Sequence, residues 1–182
     1  MCATCFRLGN RLTEAKEVGR DCSELEEELA DHQQRATVAY FHLKLAAEEI
    51  AWDPSEWTMI CMDLQQSHTI PKTPVGKHFY LSKCNVYNFC IAEVQTEKPL
   101  FYTWPEFTGR KGAAEIYSCV YRYLQDYVFC KVNYPRKLRI YADNCAGQNK
   151  NNKIVLALLR LVHLEKLDRI ELAFLVPGHT SM

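Results

Sequence analysis

The chain has 182 residues, which is enough for one domain with a sizeable core and an appendage. Lysine plus arginine and aspartate plus glutamate both number 22, so the net charge is zero. This balance excludes an overall basic field of the kind that marks many nucleic-acid-binding proteins, and any nucleic-acid interaction must rest on local features.

The chain opens without the apolar segment of a secretory signal peptide, and no uninterrupted apolar run reaches membrane-spanning length. Its nine cysteines are an odd number, and four of them lie inside apolar runs (Cys61, Cys90, Cys119, Cys130). This usage is typical of buried free thiols in a reducing compartment. We expect an intracellular protein that is not secreted and has no membrane partner. We also expect a fragment or truncated product, because the chain stops directly after a predicted strand.

Cys2 and Cys5 form a Cys-x-x-Cys pair, which is half of a zinc site. The nearest further ligands, Cys22 and His32, have a spacing that fits no usual zinc pattern. Two interpretations stay open: a Zn²⁺ site at the N-terminus, and a leftover half-site or plain thiols.

Residues 21–50 carry the strongest helix pattern in the chain. Asp21 and Glu24 have the spacing of a capping box. Apolar and small residues then recur in alternating steps of four and three, which is typical of a heptad seam. The seam consists of Leu25, Leu29, His32, Ala36, Ala39, Leu43, Ala46 and Ile50. We expect it to pair with a helix of the same chain, of a second copy or of a missing N-terminal part, with His32 as a packed polar residue.

Alternating strand and helix patterns follow the break at Asp53. The predicted strands are 57–64, 78–94, 100–104, 138–143 and 170–176, and the predicted helices are 113–129 and 154–163. Short turns between the first three strands predict an antiparallel meander. The order β-β-β-α-β-α-β predicts an α/β fold with a ribonuclease H-like mixed sheet at 53–182, preceded by an N-terminal helical segment at 1–52.

Two aspartates stand at the ends of the first and fourth predicted strands, which lie side by side in a ribonuclease H-like sheet. We expect Asp63 and Asp143 to come close together and to repel each other unless a cation lies between them. Oxygen ligands select Mg²⁺ or Mn²⁺, and two such ions would support an in-line phosphoryl displacement. The alternative for the second stretch is an ordinary strand-to-helix turn with Asp143 or Asn144 as the helix N-cap.

Glu115 lies in the first turn of the predicted helix 113–129. In ribonuclease H-like nucleases the first helix supplies a glutamate to the same metal site, so Glu115 is a candidate auxiliary ligand. The alternative is a surface residue that complements the helix dipole. A fourth acid usually follows the last strand, and we expect it beyond Met182 or absent.

Five short segments are distinctive. They are Met62-Asp63-Leu64-Gln65-Gln66, Tyr102-Thr103-Trp104-Pro105-Glu106, Gly112-Ala113-Ala114-Glu115-Ile116, Asp143-Asn144-Cys145-Ala146-Gly147-Gln148-Asn149-Lys150-Asn151 and Pro177-Gly178-His179-Thr180. Together they resemble an uncharacterised domain family derived from DNA transposons. The resemblance implies a transposase- or integrase-like catalytic core, with Asp63 and Asp143 as the first two acids of an Asp-Asp-Asp/Glu set. A further acidic residue tends to follow the last segment in such sequences, and it is missing here.

Polar residues near this predicted site are candidate DNA contacts. Gln148, Asn149 and Lys150 crowd the N-terminus of the helix that follows Asp143, where amide donors suit phosphate. Arg110 and Lys111 form a basic pair in the loop before the first helix of the predicted core. An ordinary solvent-facing loop is the alternative for both groups.

We therefore expect a metal-dependent nuclease and strand transferase that acts on DNA in the nucleus, with the cytoplasm as the alternative location. A second hypothesis is a catalytically inactive, domesticated or truncated relative that binds DNA or protein through its N-terminal segment. A third is an RNA-cleaving ribonuclease H.

Overall fold

The computed structural model describes residues 2–72, 74–75, 83–94, 96, 98–145 and 147–176. The helices are α1 (Ala3–Glu17), α2 (Ser23–Trp52), α3 (Ala113–Tyr123), continued by a π-helical turn (Leu124–Val128), and α4 (Asn152–His163). The strands are β1 (Trp57–Leu64), β2 (His68–Ile70), β3 (Cys84–Glu93), β4 (Lys98–Pro105), β5 (Lys137–Ala142) and β6 (Arg169–Phe174). The predicted α/β class with a mixed sheet is confirmed. The distinctive segment at 177–180 and the start of the predicted strand 78–94 lie outside the described residues.

Strand β1 occupies the middle of the sheet. It pairs antiparallel with β3 on one side and parallel with β5 on the other, and β6 pairs parallel with β5. Both β2 and β4 pair antiparallel with β3. The expectation that the first strand lies beside the Asp143 strand is therefore confirmed, as is the antiparallel pairing of the early strands.

Strand β2 was not predicted from the sequence. It continues the pairing of β1 along β3 after a one-residue change of register, from Leu64 opposite Phe89 to His68 opposite Val86. Its three residues are all exposed, so no alternation of buried and exposed side chains indicates it.

One face of the sheet packs against α3 and α4. Successive side chains of a strand point to opposite faces, and one alternate set from β1 and β5 lies on this side. The core there includes Ile60, Met62, Phe89, Ile91, Ile116, Val120, Leu138, Ile140, Ile154 and Leu158.

The opposite face of the sheet packs against the C-terminal half of α2. That smaller cluster consists of Ala46, Ile50, Met59, Cys61, Tyr141 and Leu175. The sheet therefore lies between two helical layers. The predicted boundary between 1–52 and 53–182 coincides with the end of α2, although α2 contributes to a core that it shares with the sheet.

The predicted seam of α2 is its least exposed face, and it packs within the chain. His32 and Ala36 are buried in the half of α2 that lies against α1, and Ala46 and Ile50 are buried against the sheet. The same-chain alternative thus accounts for the seam, while self-association through residues 21–50 stays a prediction.

Three local expectations are corrected by the structure. The N-cap position of helix α2 is Cys22, whose side chain makes no capping hydrogen bond, and the predicted capping box is not formed. Asp21 Oδ1 instead accepts hydrogen bonds from the N–H and hydroxyl of Ser23. Helix α4 is capped by Asn151, whose side chain accepts from two backbone N–H groups, and not by Asp143 or Asn144. Cys130, expected to be buried, is exposed.

All nine cysteines are free thiols. Burial raises the pKa of Cys61 and of Cys119 to about 11, which keeps both protonated at neutral pH. Within the described part of the chain, no helix combines the length and the apolar character that a membrane span requires.

Candidate functional site

Asp63 and Asp143 stand side by side in the register of two neighbouring parallel strands. Met62 of β1 lies opposite Ala142 of β5, so the next residue of each chain segment is one of the two aspartates. The apolar residues before them are buried on both faces of the sheet, and this burial fixes the register that delivers both carboxylates to the same sheet end.

The two carboxylates influence each other electrostatically. Partial burial and, secondarily, the negative charge of Asp143 raise the pKa of the Asp63 carboxyl above its usual value. A shift of this kind is what two like charges produce when they share a half-buried position. Binding of a cation or of a proton would therefore relieve the repulsion between the two carboxylates.

The side chain of Asn149 fixes the position of Asp143 through a hydrogen bond. Its side chain is fully buried, and its Nδ2 donates a hydrogen bond to Asp143 Oδ1. The residue is drawn inward by a tight turn, in which the N–H groups of Asn149 and Lys150 both donate to Cys145 O at 2.9 Å. Asn149 Oδ1 finds no hydrogen-bond partner among the described residues. A buried amide oxygen left in this way normally has a water or an ion as its partner.

Glu115 has a different setting from the aspartate pair. Its Oε1 accepts a hydrogen bond of 2.9 Å from the Arg110 N–H, and its Oε2 accepts one of 3.3 Å from the Gly112 N–H. Although partial burial opposes ionisation, these backbone donors hold the pKa of Glu115 below its usual range. The carboxylate folds back closely on the loop, since a Cβ at Gly109 would lie 3.2 Å from Glu115 Cγ.

The sheet separates Glu115 from the face to which Asp63 belongs. Asp63 alternates with Met62 and so shares the α2 side with Cys61, whereas α3, which carries Glu115, covers the other side. Among the described residues, the carboxylates of Asp63, Asp143 and Glu115 do not form a group in which all three lie within 4.8 Å of one another. The structure therefore brings the two aspartates together and leaves Glu115 with its loop.

The residues predicted to contact DNA differ in their exposure to solvent. Arg110 and Lys111 are exposed, and so is Lys150, whose Nζ lies 5.5 Å from the centre of the Phe174 ring. Gln148 is half-buried, and its carbonyl oxygen accepts from the Asn151 side chain. Asn149, by contrast, faces inward, so its role in this conformation is to position Asp143.

A second group of potential ligands lies at the N-terminus, where α1 begins. Cys2 Sγ lies 3.2 Å from His32 Nε2, and the ligand atoms of Cys2, Cys5 and His32 all lie within 4.8 Å of one another. Burial opposes ionisation of Cys2, but hydrogen bonds from the Cys5 N–H and from His32 lower its pKa to about 6. The Cys-x-x-Cys pair thus has a third partner that the spacing along the sequence did not reveal.

A family model described as a domain of unknown function, DUF7869, matches residues 83–182, which is more than half of the chain. The chain belongs to the DUF7869 family. The DUF7869 match contains Glu115 and Asp143, whereas Asp63 and the N-terminal cysteines precede it. A search of curated proteins finds no match.

Sequence reasoning missed two residues of these sites. The histidine at position 32 was expected to be a packed polar residue, and only the folding of α1 against α2 brings it to Cys2. A histidine among the small and apolar residues of a seam was the available signal. Asn149 was expected to face DNA, and no sequence signal separates it from its polar neighbours.

Proposed function

We propose that the chain is the core of a transposase- or integrase-like enzyme that performs metal-dependent phosphoryl transfer on DNA, cutting and joining strands. One observation carries the proposal: Asp63 and Asp143 end adjacent parallel strands in register, and burial together with the charge of Asp143 raises the pKa of the Asp63 carboxyl. The expected location of such an enzyme is the nucleus.

The strand arrangement supports this proposal. A ribonuclease H-like core has three antiparallel strands followed by two parallel ones, with the first and fourth adjacent. Here β1, β3 and β4 pair antiparallel in succession, and β5 and β6 add parallel strands beside β1. The short β2 is an addition to that pattern. The resemblance of the Asp143 segment to transposon-derived sequences points in the same direction.

The donor set at the sheet end fits a hard divalent cation. Asp63 and Asp143 supply carboxylate oxygens. The amide oxygen of Asn149, whose side chain binds Asp143, has no hydrogen-bond partner among the described residues. No thiol or imidazole is required, so Mg²⁺ or Mn²⁺ is the matching choice. Bound there as a two-ion site, such cations would activate a water or a 3′-hydroxyl group and stabilise the leaving oxygen.

The chain's own residues would bind the cations and the DNA backbone and would orient the metal-binding carboxylate of Asp143. Asp63 and Asp143 would hold the cations, and Asn149 fixes the direction of one Asp143 oxygen. The exposed basic pair Arg110 and Lys111 offers contacts to the DNA backbone. Gln148 and Lys150, at the turn after Asp143, are the proposed phosphate contacts nearest the carboxylates in sequence.

A different cation suits the N-terminal group. Two thiols and one imidazole are ligands that Zn²⁺ prefers, and they contrast with the all-oxygen set at the sheet end. Within this proposal Zn²⁺ therefore belongs to Cys2, Cys5 and His32, and the transferase cations belong to the aspartates.

The setting of Glu115 favours a second candidate function. With Glu115 committed to the Arg110–Gly112 loop, the described chain gathers two acids and not three. A catalytically inactive relative that binds DNA or protein would need no third acid. Glu115→Gln separates the two functions, because glutamine can keep the capping interaction but removes the charge that an auxiliary metal ligand needs.

The metal site is tested by calorimetric titration of Mn²⁺ into the wild-type chain and into the double variant Asp63→Asn with Asp143→Asn. We expect measurable binding that the double variant loses. The exposed Asp31 provides a matched control, and Asp31→Asn should bind Mn²⁺ like the wild type. Negligible heat in both the wild type and the double variant would overturn the metal site.

The activity is tested by cleavage of supercoiled plasmid DNA with Mn²⁺. We expect each aspartate variant to reduce nicking by at least about 100-fold, the loss typical of removing a group that stabilises the transition state. Nicking that survives in both variants would assign the activity to another site. Metal binding without any nicking by the wild type would favour the inactive binding module.

A further inference from the structure

Helix α1 buries few of its own side chains completely. Leu8 is the only buried residue among the 15 of α1, every one of which is described. The ion pair between Lys16 and Glu26, 2.8 Å long, is exposed at both ends and adds little. One buried leucine stabilises docking by roughly 1.5–3 kcal/mol, which is small against the cost of ordering a helix of this length.

The start of α1 nevertheless lies against the N-terminal half of α2 with a specific set of side chains. Cys2 is 5% exposed and His32 is 8% exposed, and the thiol and the imidazole face each other at 3.2 Å. Cys5, one turn into the helix, completes a group whose ligand atoms all lie within 4.8 Å. Small domains with too little apolar burial commonly use a metal or a disulfide at such a point.

The spacing of these atoms suits a tetrahedral zinc ion. Zn–S and Zn–N bonds of about 2.3 and 2.0 Å place a sulfur and a nitrogen about 3.5 Å apart in a tetrahedral site. The distance between Cys2 Sγ and His32 Nε2 is within a few tenths of an ångström of that value. The spacing needs only a small side-chain adjustment to accept the ion.

We infer that Cys2, Cys5 and His32 form a Zn²⁺ site that clamps the start of α1 to the N-terminal half of α2. The site is structural, because burial of Cys2 and His32 leaves little room for a substrate. The three side chains fill three of four tetrahedral positions, and a water or another ligand takes the fourth. Zinc binding releases thiol protons and couples to the docking of α1.

The first experiment uses the unmodified chain. The reduced protein is treated with iodoacetamide with and without Zn²⁺, and alkylated cysteines are identified by mass spectrometry. We expect Zn²⁺ to slow alkylation of Cys2 and Cys5 by at least about tenfold, since a coordinated thiolate is no longer a free nucleophile. The exposed Cys130 is the internal control and should react at the same rate in both samples.

Hydrogen exchange on the same samples tests the clamp. Removal of Zn²⁺ by a chelator should speed exchange throughout residues 3–17 and leave β1 and β5 protected. Equal alkylation rates of Cys2 and Cys5 with and without the metal would overturn the site. Unchanged exchange in α1, with alkylation protected, would overturn the clamp.

Single variants assign the ligands. Cys2→Ser, Cys5→Ser and His32→Gln should each weaken Zn²⁺ binding by at least about 100-fold in competition with a chelator. The matched controls are Cys22→Ser, at the start of α2, and His42→Gln, on the same helix, which should bind like the wild type. Wild-type affinity in His32→Gln would remove that residue from the site. None of these readouts depends on DNA cleavage, so this inference and the proposed function fail separately.

Discussion

Asp63 makes the folded chain sensitive to pH. Its pKa is raised in the folded state, so the folded chain holds this proton more tightly than the unfolded chain. In the absence of divalent cations, this residue's contribution to stability is therefore present below about pH 4 and is lost as the pH rises through the raised pKa.

Asp63→Asn should remove the loss of stability that ionisation of Asp63 causes as the pH rises. We expect the metal-free variant to exceed the wild type in free energy of unfolding at pH 7 by less than about 1 kcal/mol, because solvent screens the half-exposed carboxyl. The difference should vanish near pH 3, where both forms are neutral. Urea unfolding at the two pH values measures it, and a variant less stable than the wild type at pH 7 contradicts the role of charge repulsion.

Asn149 and Asn151 separate metal positioning from ordinary stability. Asn149→Ala should cost about 1–3 kcal/mol, because Asp143 loses a buried donor, and should weaken Mn²⁺ binding about tenfold. Asn151→Ala should cost about 1 kcal/mol through loss of the α4 cap, without a change in Mn²⁺ affinity. Titration calorimetry and urea unfolding give both quantities. Equal Mn²⁺ affinity in the two variants would remove Asn149 from the positioning role.

At the scale of one element, α2 should be sensitive to substitution on its inward face only. Ile50 is 1% exposed and packs on the sheet, while Trp52, two residues later, is 92% exposed. Ile50→Ala should lower the free energy of unfolding by about 2–5 kcal/mol, and Trp52→Ala should change it by about 0.5 kcal/mol or less. Similar losses in both variants would show that the exposed end of α2 has a partner in solution.

The elements with long buried patterns could be predicted from the sequence, and those fixed by other contacts could not. The strand β1 is recognisable because its two faces are mainly apolar, and β5 because Leu138, Ile140 and Ala142 form one buried face. Their adjacency then pairs Asp63 with Asp143. Helix α1 buries a single leucine and lies outside the predicted helix of residues 21–50, so it was not predicted as a separate helix. Glu115 was expected near the aspartates, but its carboxylate accepts hydrogen bonds from the backbone N–H groups of Arg110 and Gly112. The long-range sequence pattern does not reveal such local hydrogen bonds.

At the scale of the whole molecule, the DUF7869 match covers fewer residues than the unit that folds together. The match begins at residue 83, yet β1 lies between β3 and β5 in the sheet. A fragment of residues 83–182 would lack the middle strand and expose two unpaired strand edges. We expect it to show no cooperative urea transition, in contrast to the complete chain. A sharp transition in the fragment would mean that β3 and β5 can pair without β1.

The central position of β1 also governs the timing of folding. Glu56 and Lys137, at the start of the β1–β5 pairing, are 81 positions apart in the chain. During synthesis, β1 can form its antiparallel contacts with β3 long before β5 has left the ribosome. Until then its other edge is open, apolar and able to join a strand of another molecule. Such high contact order slows folding. The nascent chain is therefore most vulnerable to aggregation while the edge of β1 that pairs with β5 is still unpaired.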